Sequence, residues 1–240
     1  MHKFITIDQA VAKVQDGDSV MLGGFLGVGA PLRCIQKLVE RGVKNLTIIS
    51  AVNGYPGGGF DMAPLFSNKQ VKKFIGAHIG TCPEAVEAYK SGLTEVELYP
   101  MGTWIEKIRA AGSGLGGVLT PIGLGTLVEQ GKQKLTIEGK DYLLELPLRA
   151  KFAFIKGHKA DKMGNVEYRG VSVGSNPTIA MAADYTVAEV DEIVEIGEIE
   201  PIRVGTPGVF VNAVVQGSTF AEHQKEVEEL WVRTGRLQAQ

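Results

Sequence analysis

The chain has 240 residues, 44% of them hydrophobic and 22% charged, with 25 basic against 27 acidic side chains. This is globular composition, long enough for a self-sufficient core, and its near-neutral balance leaves no broad electrostatic footprint for nucleic acid. No apolar run reaches the roughly 18–20 residues of a membrane span, and the opening MHKFITIDQAVAKV lacks a signal peptide's apolar core, so the cytoplasm is the expected address.

In chain order, the pattern predicts a short helix over 7–14, a turn at Asp16-Gly17 and a strand over 19–22. A glycine-rich loop, Gly23 to Ala30, leads into a helix opened by Pro31 and closed by a left-handed Gly42, with Leu32, Ile35, Leu38 and Val39 as its buried stripe. Strands are expected at 46–49, 71–75 and 96–98, with helices over 84–91 and 105–111. Segments 134–137 and 141–144, joined at Glu138-Gly139, read as a β-hairpin insertion. A buried strand at 152–155, an edge strand at 165–168, a helix over 177–183 and a strand over 186–190 follow. The charged segment 221–234 is amphipathic, with Val227, Leu230 and Trp231 on one stripe, and either packs back or meets a partner. With no repeat or linker, residues 1–240 read as one α/β domain: an open, largely parallel sheet flanked by helices, with a small hairpin insertion.

The loop after the first strand is the leading local signal. Gly23-Gly24 and Gly27-x-Gly29 leave backbone N–H groups uncovered, and the positive end of the helix behind Pro31 faces the same space. That suits a phosphate or carboxylate, and equally a structural turn. No Lys-Ser/Thr follows, so it is not a Walker loop, and Leu32 stands where a dinucleotide fingerprint needs its third glycine. A second cluster, Gly112 to Gly117 with Thr120 to Gly125 behind it, suggests a groove along one sheet edge.

Other features are weaker. Gly170-Val171-Ser172-Val173-Gly174 has the spacing of a nucleophile elbow, but its helix starts too late and only His223, at an expectedly solvated position, follows. Cys82, before Pro83, is placed to cap a helix, which could lower its pKa, while Cys34 reads as core; the two make no disulfide framework. His2, His78, His158 and His223 have no metal spacing, so no metal is expected. The acidic run Glu189 to Glu200 reads as a solvated face. The basic bias at Arg149, Lys151, Lys156, His158, Lys159, Lys162 and Arg169 could meet phosphates of a nucleotide-bearing ligand.

The stretch Asp16 to Pro31 resembles the signature of the alpha side of family I CoA-transferases. Further landmarks are His78-Ile79-Gly80-Thr81, Pro100-Met101-Gly102-Thr103, Glu106-Lys107-Ile108-Arg109, Leu119 to Thr126, Ala160 to Asn165 and Glu192 to Gly197, so the likeness spans nearly the whole chain. It is nearest to the alpha subunits of acetate-, acetoacetate- and butyrate-type enzymes. The resemblance implies that CoA moves between short-chain carboxylic acids through acyl-glutamyl anhydride and glutamyl-CoA intermediates. It places the attacking glutamate on a separate beta subunit, in a hetero-oligomer such as α2β2, with no catalytic residue here. It implies a CoA thioester as substrate, no permanently bound cofactor, and no nucleic-acid or membrane partner. It makes Gly23, Gly24, Phe25, Leu26, Gly27, Val28 and Gly29 the CoA-binding loop, and Met101, Gly102, Ser113 and Gly114 a wall of the acyl pocket. Two departures stand out: Met101 replaces a common Gln, and Gly170 to Asn176 replaces a Ser-Ala-Arg-Asn-Phe-Asn-like stretch. A thioether cannot replace an amide's hydrogen bonds, which implies an acyl group other than acetoacetate. The alternatives are a thioester hydrolase or decarboxylase on this scaffold, or a non-catalytic phosphosugar-binding domain.

Overall fold

The computed structural model describes residues 3–52, 54–55 and 59–238. A short helix α1 (Ile7–Val11) carries a capping box at Thr6 and precedes β1 (Ser19–Leu22). The glycine-rich loop follows, then α2 (Leu32–Arg41), which Gly42 ends at φ +64°, as a left-handed glycine cap should. Next come β2 (Leu46–Ile49), α3 (Ala63–Ser67), β3 (Val71–Gly76), α4 (Pro83–Lys90), β4 (Glu95–Leu98) and α5 (Met101–Gly112). The middle of the chain gives β5 (Val118–Thr120), β6 (Lys134–Ile137), β7 (Lys140–Glu145) and β8 (Ala150–Asp161). The last third holds β9 (Val166–Glu167), α6 (Asn176–Ala180), β10 (Ala183–Val194), β11 (Ala213–Gln216) and α7 (Phe220–Arg233).

Seven strands pair in the order β11-β10-β8-β1-β2-β3-β4, parallel at every step, while β9 lies antiparallel on β8. Alternation along each strand feeds two cores. Val20 and Leu22 join Ile48, Phe74 and Phe154 beneath α1 to α4, and Met21 joins Ile49, Ile75 and Ala153 against Trp104 and Ile108 of α5 and Ile179 of α6. The expected hairpin forms and gains β5, so the insertion is a three-stranded antiparallel sheet in the order β5-β7-β6. It is tied to α5 by Glu145, whose buried carboxylate meets Lys107 at 2.9 Å and also pairs with Lys132.

Two strands exceed their expected length: β8 and β10 each run 12 residues. Their outer halves carry the basic and acidic runs, and the parallel register sets Lys156 beside Glu189 and Lys159 beside Glu192. Lys159 pairs with Glu192 at 2.9 Å, and Lys162 pairs with Glu195. Arg149 meets Asp184 and Lys151 meets Asp18. These pairings occupy Lys159, Lys162, Arg149 and Lys151; in the acidic run Glu192, Glu195, Glu198 and Glu200 are exposed, as a solvated face should be, whereas Glu189 is buried and Asp191 partly so, which corrects that reading at those two positions.

Candidate active site

β1 is the central strand, so the loop behind it lies mid-way along the carboxyl edge, where parallel sheets bind ligands. Phe25 and Val28 exchange backbone hydrogen bonds of 2.9 and 3.0 Å around Leu26 (φ +51°) and Gly27 (φ +85°). Two successive left-handed residues make a primed two-residue turn; glycine supplies one freely, whereas Leu26 is held there under strain. Phe25 and Val28 stand out from the surface at the turn's base. The Gly23 N–H donates to the Phe154 carbonyl at 3.0 Å, and that of Gly27 faces the Asp61 carboxyl. The N–H groups of Gly24, Leu26 and Gly29 donate to no acceptor among the described residues.

The positive end of α2 is not open to a ligand, which corrects the sequence expectation. Glu189, 1% exposed, reaches from β10 and accepts the Cys34 N–H at 2.9 Å, with the Arg33 N–H also turned toward it. The helix is capped from 155 residues away, an internal version of anion capture at a helix N-terminus. Burial raises the Glu189 pKa against the pull of Lys156, whose ammonium lies 3.7 Å from Glu189 and 2.8 Å from Asp191. Asp191 also holds His158 Nδ1 at 2.9 Å. Under the loop's other side, burial pushes Asp61 up to about 7, against the Gly27 and Met62 amides, and its Oδ1 has no hydrogen-bond partner among the described residues.

Beside the loop opens a cleft of about 480 Å³, floored by Lys156 and His158 and walled by Val28, Gly29, Ser172 and the inner face of α7. The amphipathic segment thus packs back on the domain. Leu230 is buried, Arg33 Nε donates to Ser218 Oγ at 2.6 Å and pairs with Glu226, and Arg169 lies 3.7 Å over the Phe220 ring. His223 turns into this cleft, half-buried, with its pKa lowered by desolvation and then by Lys156, so it is not solvated. Ser172 sits in a 3₁₀ turn over 170–173, its hydroxyl donating to the Arg169 carbonyl at 2.6 Å, so the elbow-like spacing makes no nucleophile.

Met101 and Gly102 open α5 directly behind β4, on the same carboxyl edge. They stand in the first helical turn, earlier than the predicted helix, and Gly102 lines a pocket of about 280 Å³ with Thr103, Glu106, Leu119 and Ile122. Ser113 caps the other end of that helix and Gly114 follows it. At 1.5 Å per residue the two pairs are about 18 Å apart, so the four residues do not share one small pocket. Cys82 precedes α4 without a capping hydrogen bond, and burial, the largest cause, pushes its thiol up to about 12. That is opposite to the lowering its position suggested. Cys34 is core, as expected. Among the described residues no group of His, Cys, Asp and Glu is placed to hold a metal ion; His2 lies outside them. No described helix is long and apolar enough to cross a membrane.

Residues 4–217 match the family model described as Coenzyme A transferase. The chain belongs to the coenzyme A transferase family. It is 46% identical over 213 residues to the alpha subunit of acetate CoA-transferase from Escherichia coli K12, covering 89% of this chain and 96% of that protein. Against the acetoacetyl-CoA:acetate/butyrate CoA transferase alpha subunit of Clostridium acetobutylicum the figures are 46% over 214 residues, 89% and 97%. The alpha subunit of a probable coenzyme A transferase from Bacillus subtilis 168 is 45% identical over 216 residues, covering 90% of this chain and 93% of that one. Among solved structures, an acyl-CoA transferase from E. coli O157:H7 superposes with a TM-score of 0.84 at 22% identity, over 90% of this chain and 47% of that one. This chain thus corresponds to about half of that polypeptide. Glutaconate coenzyme A-transferase from Acidaminococcus fermentans gives 0.78 at 23% identity, over 90% and 76%. The transferase family's matched region ends before α7, which adds the outer wall of the cleft.

Proposed function

We propose that this chain is the alpha-type subunit of a CoA-transferase that moves CoA between short-chain carboxylic acids, with the attacking glutamate supplied by a beta-type partner. The observation that carries the split site is the state of the carboxylates around the loop. Asp61 and Glu189 are buried against backbone amides, and Asp191 is held by Lys156 and His158. A nucleophile must reach a thioester carbonyl, and these three are locked into the fold; the exposed carboxylate that lines the cleft, Glu228, stands on α7, beyond the matched transferase region. The unpaired N–H groups of half-buried Leu26 and of Gly29, which borders the cleft, supply the complementary part. Preorganised amides of this kind stabilise the oxyanion formed at each acyl-transfer step, or hold a CoA phosphate. Met101 and Gly102 form the acyl-side wall at the end of β4, whereas Ser113 and Gly114 are too remote to share it. The relatives named as alpha subunits support the presence of a second, beta-type subunit.

The test is CoA exchange between acetyl-CoA and a panel of carboxylates, comparing this chain alone with the assembly it forms in its native extract. The proposal expects exchange by the assembly and none by the chain alone. Thioester loss without transfer to any acceptor would instead assign the scaffold to thioester hydrolysis. Full exchange by the isolated chain would overturn the split site.

A further inference from the structure

The Asn176 side chain is wholly buried at the start of α6, and all three of its hydrogen bonds go to backbone groups of other segments. Its Oδ1 accepts the Lys156 N–H at 3.1 Å. Its Nδ2 donates to the Gly29 carbonyl and to the Ser172 carbonyl, each at 3.0 Å. Gly29 belongs to the glycine-rich loop, Lys156 to β8 and Ser172 to the 170–173 turn, and all three line the cleft. One carboxamide therefore joins the three walls that meet at the loop's foot.

Two of the loop's glycines follow from this. A Cβ at Gly23 would collide with the Asn176 carboxamide oxygen, and one at Gly29 with the Ser172 carbonyl. Gly23 has no left-handed backbone to explain it, so the space claimed by Asn176 is the reason for glycine there. The Gly29 N–H lies in the Val28–Gly29 peptide plane, whose carbonyl accepts the Phe25 N–H at 2.9 Å, and Asn176 anchors the next plane, Gly29–Ala30, which pivots on the same Cα.

The geometry points to Asn176 as a positioning residue for thioester binding: it aims the open amides of the Gly23–Gly29 loop by clamping that loop to β8 and to the 170–173 turn. A carboxamide is required because the site needs an acceptor for one N–H and a donor for two carbonyls. The inference rests on the CoA-transferase reading given above.

The test is Asn176→Asp in the complete assembly, measured as kcat and KM for acyl-CoA from pH 5.5 to 8.5 beside the wild type. The carboxylate keeps the acceptor and loses both donors, facing two carbonyls instead. At pH 8.5, KM for acyl-CoA is expected to rise roughly tenfold, the scale of one lost buried hydrogen bond, with a smaller change in kcat. The defect should shrink toward low pH, because protonating the introduced carboxyl restores one donor. A merely structural residue would lower melting temperature and active fraction, and so apparent kcat, but leave KM for acyl-CoA unchanged. Should Asn176→Asp fail to fold, Gly23→Ala displaces the carboxamide from the other side and is expected to raise the same KM. Asn176→Asp with wild-type KM across the pH range, or Gly23→Ala with wild-type KM, overturns the assignment. A wild-type assembly that transfers no CoA would fail the functional reading itself, a separate result.

Discussion

Glu189 offers the sharpest stability prediction, because a carboxylate from β10 serves as the N-terminal cap of α2. Glu189→Ala removes the acceptor of the Cys34 N–H and one of two carboxylates beside Lys156, whose side chain is 6% exposed. Removing one partner of a buried ion pair costs about 3–5 kcal/mol; since Asp191 remains 2.8 Å from Lys156, the low end applies. Loss of a helix cap adds about 1 kcal/mol. In a chain of this size 1 kcal/mol is about 2–4 °C, so the melting temperature should fall by roughly 10 °C. Glu189→Gln keeps an acceptor for Cys34 and drops only the charge, which burial already disfavours. Its loss should be smaller than that of Glu189→Ala by about the 1 kcal/mol of the cap, or about 2–4 °C. Calorimetry of both variants beside the wild type, at fixed protein concentration, is the assay. Equal losses for Ala and Gln would refute the capping argument, and so would a drop under about 2 °C for Ala, less than a single kcal/mol.

Further outcomes follow from other buried groups. Asp61 has its pKa raised from 3.8 to about 7; a carboxyl more basic in the folded state stabilises below its unfolded pKa, and that contribution disappears as pH rises through 7. At about 1.4 kcal/mol per unit the loss is on the order of 4 kcal/mol, so Asp61→Asn should gain in melting temperature over the wild type between pH 4 and 8, and a constant difference would contradict it. Both cysteine thiols are buried with raised pKa, so a maleimide at pH 8 should label the native chain slowly and the unfolded chain at two sites; rapid native labelling would refute this. Met101 is exposed at the carboxyl edge, and Met101→Gln, which adds an amide, should shift the ratio of kcat/KM values between keto and saturated acyl-CoAs, whereas an unchanged ratio would remove Met101 from the acyl wall.

Local pattern made the parallel sheet legible, since Gly23–Ala30, Pro31 and Gly42 punctuate a strand–loop–helix–strand unit whose bounds the structure reproduces within a residue or two. Short elements escaped: α3 has five residues and β5 three, too few to show a period. The outer halves of β8 and β10 were hidden by their charges, which interrupt the apolar pattern of a strand until the register pairs Lys159 with Glu192. Long-range roles were the least visible. Glu189 alternates in phase with Val187, which lies in the core beneath α2, so period-2 counting could have marked it as inward-facing. Nothing local, however, ties it to a helix 155 residues away. Likewise Gly23 is conspicuous in the sequence, but its cause, the carboxamide of Asn176, lies in another segment.

The most direct test of the account is to trap the enzyme–CoA thioester. The native assembly is mixed with acyl-CoA without acceptor, the glutamyl thioester is reduced with borohydride, and the modified residue is located by mass in both chains. The account predicts a reduced glutamate on the partner chain and an unmodified Asp61, Glu189 and Asp191 here. Reduction of a carboxylate on this chain would contradict it.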